Sequence, residues 1–131
     1  MPTRFLITAL AAVLLSISPA MAGDGDAVAT GTFTGKSGHK TSGTVAVHRT
    51  ASGYTVELGP DFKFDGAPDP KLGLGRNGYD AGAKFSPLRS NAGAQSYDLP
   101  AEIDTDSYTE VWVWCEQYSV PLGVATLKPA Q

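Results

Sequence analysis

The sequence predicts an all-β domain, a small sandwich or barrel of short antiparallel strands. Three observations predict this class. Short runs rich in Val, Thr and aromatic residues alternate apolar with polar positions. Clusters of Gly, Pro, Asp and Ser separate these runs. No segment after residue 22 repeats apolar residues at the helical period of about 3.6. Short strands at regular spacing with turns between them are typical of sandwiches and barrels.

The first 22 residues have the three-part pattern of a secretory signal peptide. Arg4 precedes an apolar run at residues 5–17, and Pro19 separates this run from Ala20-Met21-Ala22, an A-x-A cleavage motif. A membrane-spanning helix needs about 20 apolar residues, more than this run contains. The sequence therefore predicts export to the periplasm or the extracellular space, and a mature protein without a transmembrane segment.

The mature chain has the size of a single domain, since cleavage leaves 109 of the 131 residues. Residues 23–29 are small and polar, so we expect a flexible N-terminus there and a β domain at residues 30–131. The formal net charge is −3, and the basic residues form no stripe. This distribution excludes the usual electrostatic footprint for nucleic acid.

The predicted strands begin with a short one at residues 32–34. A hairpin follows, with strands at 44–48 and 54–58 joined by a turn that contains Gly53. The alternation places the two valines of its first strand on the core face and His48 on the opposite face, where we expect a solvated histidine. Further strands are predicted at residues 71–75, 95–99, 110–115 and 120–127, with a long Gly-rich loop at 77–91.

The strand predicted at residues 110–115 is apolar on both faces. Val111, Val113 and Cys115 alternate with Trp112 and Trp114. Such a strand belongs inside its sheet, where it is covered on both sides or presents its tryptophans to a ligand or partner. We therefore expect Cys115 at the edge of the core, and Trp112 and Trp114 are candidate binding residues.

Cys115 is the single cysteine of the chain. Small exported domains often depend on disulfides, but one cysteine cannot form an internal framework. The thiol is then a buried core residue, a reactive thiol, a ligand or an intermolecular partner. A reactive thiol needs access and cationic neighbours, whereas the adjacent Glu116 is acidic. Because free cysteine is among the most buried residue types, the residues by themselves favour a structural role.

No cofactor is evident around this cysteine. A blue-copper site combines Cys with two His and a weak axial ligand, usually Met, but residues 116–131 contain neither His nor Met. The C-x-x-C-H motif for covalent haem is absent, and the sequence leaves a non-covalent haem open. Nucleophile motifs such as G-x-S-x-G are also absent, which disfavours a hydrolase or transferase.

Three aspartates in the segment DFKFDGAPDP are spaced like ligands of a calcium loop. Starting from Asp61, however, Lys63 and Leu72 occupy positions that would need oxygen ligands, so no EF-hand metal site is predicted, and the clustered carboxylates leave only a loose Ca²⁺ site open. Asp-Gly and Pro-Asp-Pro are strong turn formers, which explains most of the pattern. Asp65 and Asp69 remain candidate binding residues.

Two stretches carry a resemblance to a known family. The first is FKFDGAPD at residues 62–69 with the strand LGLG at 72–75; the second is YDLP at 97–100, VWVWC at 111–115, Tyr118 and GVA at 123–125. The early GTF, His39 and the strand at 43–45 also fit. Together these pieces resemble the DM-thirteen domain, also described as the electron-transfer DM domain, over nearly the whole mature chain.

The resemblance implies a β-rich extracytoplasmic module, found in animals beside DOMON and b-type cytochrome domains. It implies that Cys115 is a redox centre or a ligand of a prosthetic group. We expect a stand-alone, exported bacterial form, whose partner is a membrane redox protein or another envelope protein. Two functions stay open: an electron-transfer or thiol-redox accessory centred on Cys115, and a non-enzymatic β-sandwich binding module of the cell envelope in which Cys115 is a core residue.

Overall fold

The computed structural model describes residues 26–130, and the predicted signal peptide at residues 1–22 lies outside them. The described residues form short β-strands and one 3-10 turn, Thr105–Ser107. The strands are Ala27–Gly35 (β1), Thr41–Ser42 (β2), Thr44–Thr50 (β3), Gly53–Leu58 (β4), Lys63–Phe64 (β5), Pro70–Gly75 (β6), Tyr79–Pro87 (β7), Gln95–Asp98 (β8), Glu110–Cys115 (β9), Val120–Thr126 (β10) and Lys128–Pro129 (β11). The all-β prediction is confirmed.

Most strands belong to one antiparallel sheet, in the order β7-β6-β9-β10-β1-β3-β4-β8, with β11 beside the start of β1. The sheet curls until its two edge strands approach each other. Phe85 of β7 meets Tyr97 of β8 edge to face, with ring centroids 6.0 Å apart. The backbone N–H of Arg89, just after β7, donates to the Tyr97 hydroxyl at 3.0 Å. The architecture is therefore a nearly closed barrel.

A separate ribbon of β2 and β5 packs against this barrel. The Thr41 hydroxyl donates to the Leu122 carbonyl oxygen at 2.9 Å. Gly123 leaves the room for this contact, since an added Cβ there would come within 2.7 Å of the Thr41 side chain. Phe64 of the ribbon joins the core. The ribbon thus covers β10 close to the end of β9.

The core is built from the inward positions of the alternating strands, as the predicted hairpin requires. Val45 and Val47 of β3 face Val56 and Leu58 of β4, and all four are buried. Burial of these side chains stabilises the domain by roughly 1.5–3 kcal/mol each. The other buried apolar members are Phe33, Phe62, Phe64, Leu72, Leu74, Ala83, Tyr97, Leu99, Val111, Val113, Cys115, Leu122 and Ala125.

Strand β9 lies inside the sheet, between β6 and β10, which confirms the prediction from its two apolar faces. Its inner residues pair with inner residues of β6, for example Val113 with Leu72. On the other side the ladder with β10 shifts between Pro121 and Gly123. A bulge at this point is consistent with a proline, which cannot donate a ladder hydrogen bond.

Three expectations about local structure are corrected. The loop predicted at residues 77–91 contains β7, which pairs with β6 through a register that shifts on both sides of Gly73. Residues 27–29, expected in a flexible N-terminus, form the start of β1. His48 is not solvated, because its side chain is 14% exposed and its Nε2 lies 3.1 Å from Glu57 Oε2. No helix among residues 26–130 is long and apolar enough to cross a membrane.

Candidate functional site

Cys115 closes β9 on the inner face of the barrel. Its residue partners across the sheet are Pro70 of β6 and Val120 of β10. The side chain is 2% exposed and belongs to the core cluster. Within residues 26–130 the sulfur makes no hydrogen bond, and the thiol is free. The sequence predicted that Cys115 ends the strand face formed by Val111 and Val113, and this position is confirmed. The side chain of Cys115 lies in the apolar core.

Glu116, the acidic neighbour in sequence, is the first residue of the turn after β9, and its side chain is exposed. Its carboxylate lies 2.7 Å from the Lys84 ammonium on the outer surface. Its backbone N–H donates to the Asp69 carbonyl oxygen at 3.1 Å. Because Cys115 is buried in the apolar core, attack on an external disulfide or peroxide requires the end of β9 to open.

The outer face of β9 carries an aromatic ledge, formed by Tyr79, Trp112 and Trp114. The rings of Tyr79 and Trp114 are stacked, with centroids 4.5 Å apart and planes inclined by 10°. Trp112 meets Trp114 edge to face at 6.3 Å. Trp112 is 9% exposed, whereas Tyr79 and Trp114 are half-buried. Trp114 and Tyr79 thus offer surface to a partner, and Trp112 mainly supports them.

Two glycines of β6 make room for this ledge. A Cβ at Gly73 would lie 2.6 Å from the Tyr79 ring, and one at Gly75 would lie 2.5 Å from Trp112 Nε1. The indole N–H of Trp112 donates to Glu110 Oε1 at 3.3 Å, and the same oxygen accepts the Gly78 N–H at 2.9 Å. Burial, followed by the negative charge of Glu116, raises the pKa of Tyr79.

Asp69 lies beside the end of β9, because the next residue, Pro70, pairs with Cys115. Its carboxylate is 2.9 Å from the Lys71 ammonium. The hydrogen bond from Lys71 is the main cause that lowers the pKa of Asp69. Of the predicted site residues, the structure therefore brings Asp69 next to the strand of Cys115, Trp112 and Trp114.

Asp65 is engaged elsewhere, in a pair with His39 that local sequence patterns could not reveal. One carboxylate oxygen lies 2.9 Å from His39 Nδ1, and the other accepts the backbone N–H of Lys40 at 3.0 Å. The hydrogen bond with His39, followed by that from Lys40, lowers the pKa of Asp65. The two partners are 26 positions apart in sequence and meet through the pairing of β2 with β5.

The carboxylate of Asp61 is also held by hydrogen bonds within the protein. Its Oδ1 accepts both the backbone N–H of Thr44 at 3.0 Å and the Thr44 hydroxyl at 2.8 Å. Each aspartate of the segment thus has partners within the protein. In residues 26–130 no group of three or more His, Cys, Asp or Glu side chains is arranged to hold a metal ion.

Comparison with known proteins adds one finding. A family model described as electron transfer DM13 matches residues 32–127. The chain belongs to this family. The DM13 match begins within β1, ends just after β10, and contains the strands between them, the aromatic ledge and Cys115. It confirms the resemblance carried by the sequence motifs. No curated protein and no solved structure was found to match the chain.

Proposed function

We propose that this protein is an exported electron-transfer accessory of the cell envelope, with the thiol of Cys115 as its redox centre. The observation that supports this role is the match to a family described as electron transfer, which covers the strand that carries the cysteine. The leader at residues 1–22 supports export, and the half-buried ring of Trp114, on the same strand as Cys115, offers a redox partner a surface together with the stacked ring of Tyr79.

A single thiol can transfer two electrons from a dithiol to a hydroperoxide and return to its reduced form. The Cys115 thiolate attacks one oxygen of a hydroperoxide, the O–O bond breaks, and the departing oxygen takes the proton released by the thiol. The sulfur becomes a sulfenic acid. A dithiol protein of the envelope then forms a mixed disulfide with loss of water. Its second thiol attacks that disulfide and releases reduced Cys115, so two electrons pass from the dithiol to the peroxide.

This cycle requires a local opening, because the sulfur is 2% exposed in the closed barrel. Cys115 directly precedes the turn at residues 116–119, where Ser119 has a positive φ of 51°. Proteins open locally at free energies well below that of global unfolding, and loops and the ends of strands open most readily. We therefore expect the β9–β10 turn to open and expose the thiol while the rest of the barrel stays folded.

Native-state alkylation at increasing urea concentrations tests the role of Cys115. An opening local to the turn predicts a labelling rate that depends only weakly on urea at low concentrations. The control is Cys115→Ser with Val113→Cys, which places a thiol at a fully buried position two residues earlier. Its labelling is expected to follow global unfolding. If Cys115 shows the same steep dependence as this control, the redox role is contradicted.

The burial of Cys115 favours a second function, a non-enzymatic binding module in which the thiol only fills the core. In that case the aromatic ledge binds the partner, and the cysteine is exchangeable for a small apolar residue. Peroxide treatment followed by mass spectrometry separates the two functions. A folded wild-type protein that gains one oxygen at Cys115 supports the redox role, whereas an unmodified thiol under native conditions supports the binding module.

A further inference from the structure

The outer face of the barrel holds an open groove of about 1150 Å³ that the proposed redox role does not use. It extends across β10, β1, β3, β4 and β8. Ala46 of β3 forms part of its floor between Thr30 of β1 and Glu57 of β4, which are its partners in neighbouring strands. A small side chain between two longer ones produces a depression in the sheet surface.

Hydroxyl groups line this groove in a regular array. Thr30, Thr32 and Thr34 follow each other on the outer face of β1, while Phe33 points into the core. Thr32 lies opposite Thr44 of β3. Neighbours are spaced by roughly 7 Å along a strand and about 4.8 Å between strands. Thr126 and Ser96 continue the hydroxyl surface on β10 and β8.

Most of these hydroxyls are available to a ligand. Thr44 donates to Asp61, but the hydroxyls of Thr30, Thr32 and Thr34 make no hydrogen bond within residues 26–130. A threonine hydroxyl both donates and accepts hydrogen bonds. An array of such groups matches a ligand that itself carries many hydroxyls.

Two lysines mark the ends of the groove. Lys36 follows β1 directly, and Lys128 pairs with Thr30 near the start of the same strand. Six residue steps of extended chain separate the two positions along β1, roughly 20 Å. Neither ammonium group forms an ion pair with another side chain in the described part of the protein. The one acid of the lining, Glu57, lies 3.1 Å from His48.

The residue types that line the groove also restrict how a ligand can be recognised. None of the groove residues is aromatic, so stacking of a sugar ring on a side chain is not available. Recognition then depends on hydrogen bonds and on charge. An open, elongated shape suits a stretch of polymer better than an enclosed small molecule. We propose that this groove binds an acidic polysaccharide, with its carboxylates at Lys36 and Lys128 and its hydroxyls on the threonine array.

Isothermal titration calorimetry with an oligogalacturonate tests the groove, with a neutral malto-oligosaccharide of the same length as comparison. We expect the acidic oligomer to bind and the neutral one to bind at least tenfold more weakly. Raising the ionic strength is expected to weaken binding, because exposed charges are screened. The variant Lys36→Gln with Lys128→Gln is expected to lose about fivefold in affinity for each lysine.

Two controls keep the outcome specific to the groove. Lys40→Gln with Lys63→Gln removes the same charge from exposed lysines outside the lining and is expected to bind like the wild type. Thr32→Val keeps a β-branched shape on β1, and we expect weaker binding in a folded protein. Absence of binding, equal binding of the neutral oligomer, full competition by inorganic phosphate, or an equal loss in the control lysine variant would each overturn the assignment.

Discussion

The ring of Tyr79 stacks on the indole of Trp114, with centroids 4.5 Å apart and planes inclined by 10°. Tyr79 begins β7, one edge strand of the barrel sheet, while Trp114 lies on the interior strand β9. The stack crosses β6, whose Gly73 leaves space for the tyrosine ring. It therefore fastens the edge strand β7 to the interior of the sheet.

A double-mutant cycle measures this contact. We expect Tyr79→Leu and Trp114→Leu to show a coupling energy of about 0.5–1.5 kcal/mol, the range of aromatic pairs beyond simple burial. The free energies of unfolding of the wild type, both single variants and the double variant are obtained in urea. Tyr118→Leu is the control, since Tyr118 is 62% exposed and we expect little change. A coupling energy near zero would mean that the rings pack independently.

A methyl group at Gly75 has no room in the sheet. Its Cβ would lie 2.2 Å from the Gly78 carbonyl oxygen and 2.5 Å from Trp112 Nε1. We expect Gly75→Ala to lower the free energy of unfolding by about 1–3 kcal/mol, the usual cost of overpacking. The matched control is Gly82→Ala, whose Cβ would meet only the flexible Asp80 carboxylate at 3.2 Å. Equal stability of the two variants in urea would contradict the close packing of Trp112.

Substitutions at Cys115 test the dry surroundings of its sulfur. Serine has a similar shape but buries a hydroxyl without a partner, which costs about 1–3 kcal/mol. Alanine removes the sulfur and leaves a small cavity, so we expect a smaller loss of about 1 kcal/mol. The expected order of unfolding midpoints in urea is wild type, Cys115→Ala, Cys115→Ser. A serine variant as stable as the wild type would indicate a polar site around this side chain.

Acid should weaken the contact between Asp61 and Thr44. The backbone N–H and then the hydroxyl of Thr44 hold the pKa of Asp61 below its ordinary value. A folded pKa that lies below the unfolded value of about 3.9 stabilises the protein above that pH. The stabilisation is lost as the pH falls through the folded pKa.

The test compares Asp61→Asn with the wild type in melting experiments at decreasing pH. We expect the variant to be less stable at pH 7 and the difference to shrink below about pH 4, because protonated Asp61 resembles the amide. Asp98→Asn is the control, since the Asp98 side chain makes no hydrogen bond within residues 26–130. A difference that stays constant down to the acid transition would rule out the charge of Asp61 as its cause.

Local alternation was sufficient for the strands with strong β-forming residues. The hairpin of β3 and β4 and the bounds of β9 follow from side chains that favour one face each, so the predicted residues match the observed strands closely. It was insufficient for β7. That segment contains Gly82 and Ser86, which have low strand propensity, and it is extended because β6 offers it hydrogen-bond partners.

Some features of the candidate site could likewise be predicted from local alternation, and others depend on contacts between distant segments. The position of Cys115 at the end of the valine face, and of Trp112 and Trp114 on the other face, depends only on the two-residue period of a strand. The pair of His39 with Asp65 depends on a ribbon that joins segments distant in sequence. Nothing in either segment alone specifies that meeting.

The sequence by itself determined the all-β class, the interior place of β9, the lack of a disulfide framework and the family resemblance, because composition and a two-residue period are properties of short segments. Only the tertiary structure decided that the sheet closes into a barrel, that the thiol of Cys115 is buried in the core of that barrel, and that the ring of Tyr79 stacks on Trp114. Those outcomes depend on how far the sheet curls and which edges meet, which is set by the sum of many contacts between distant residues.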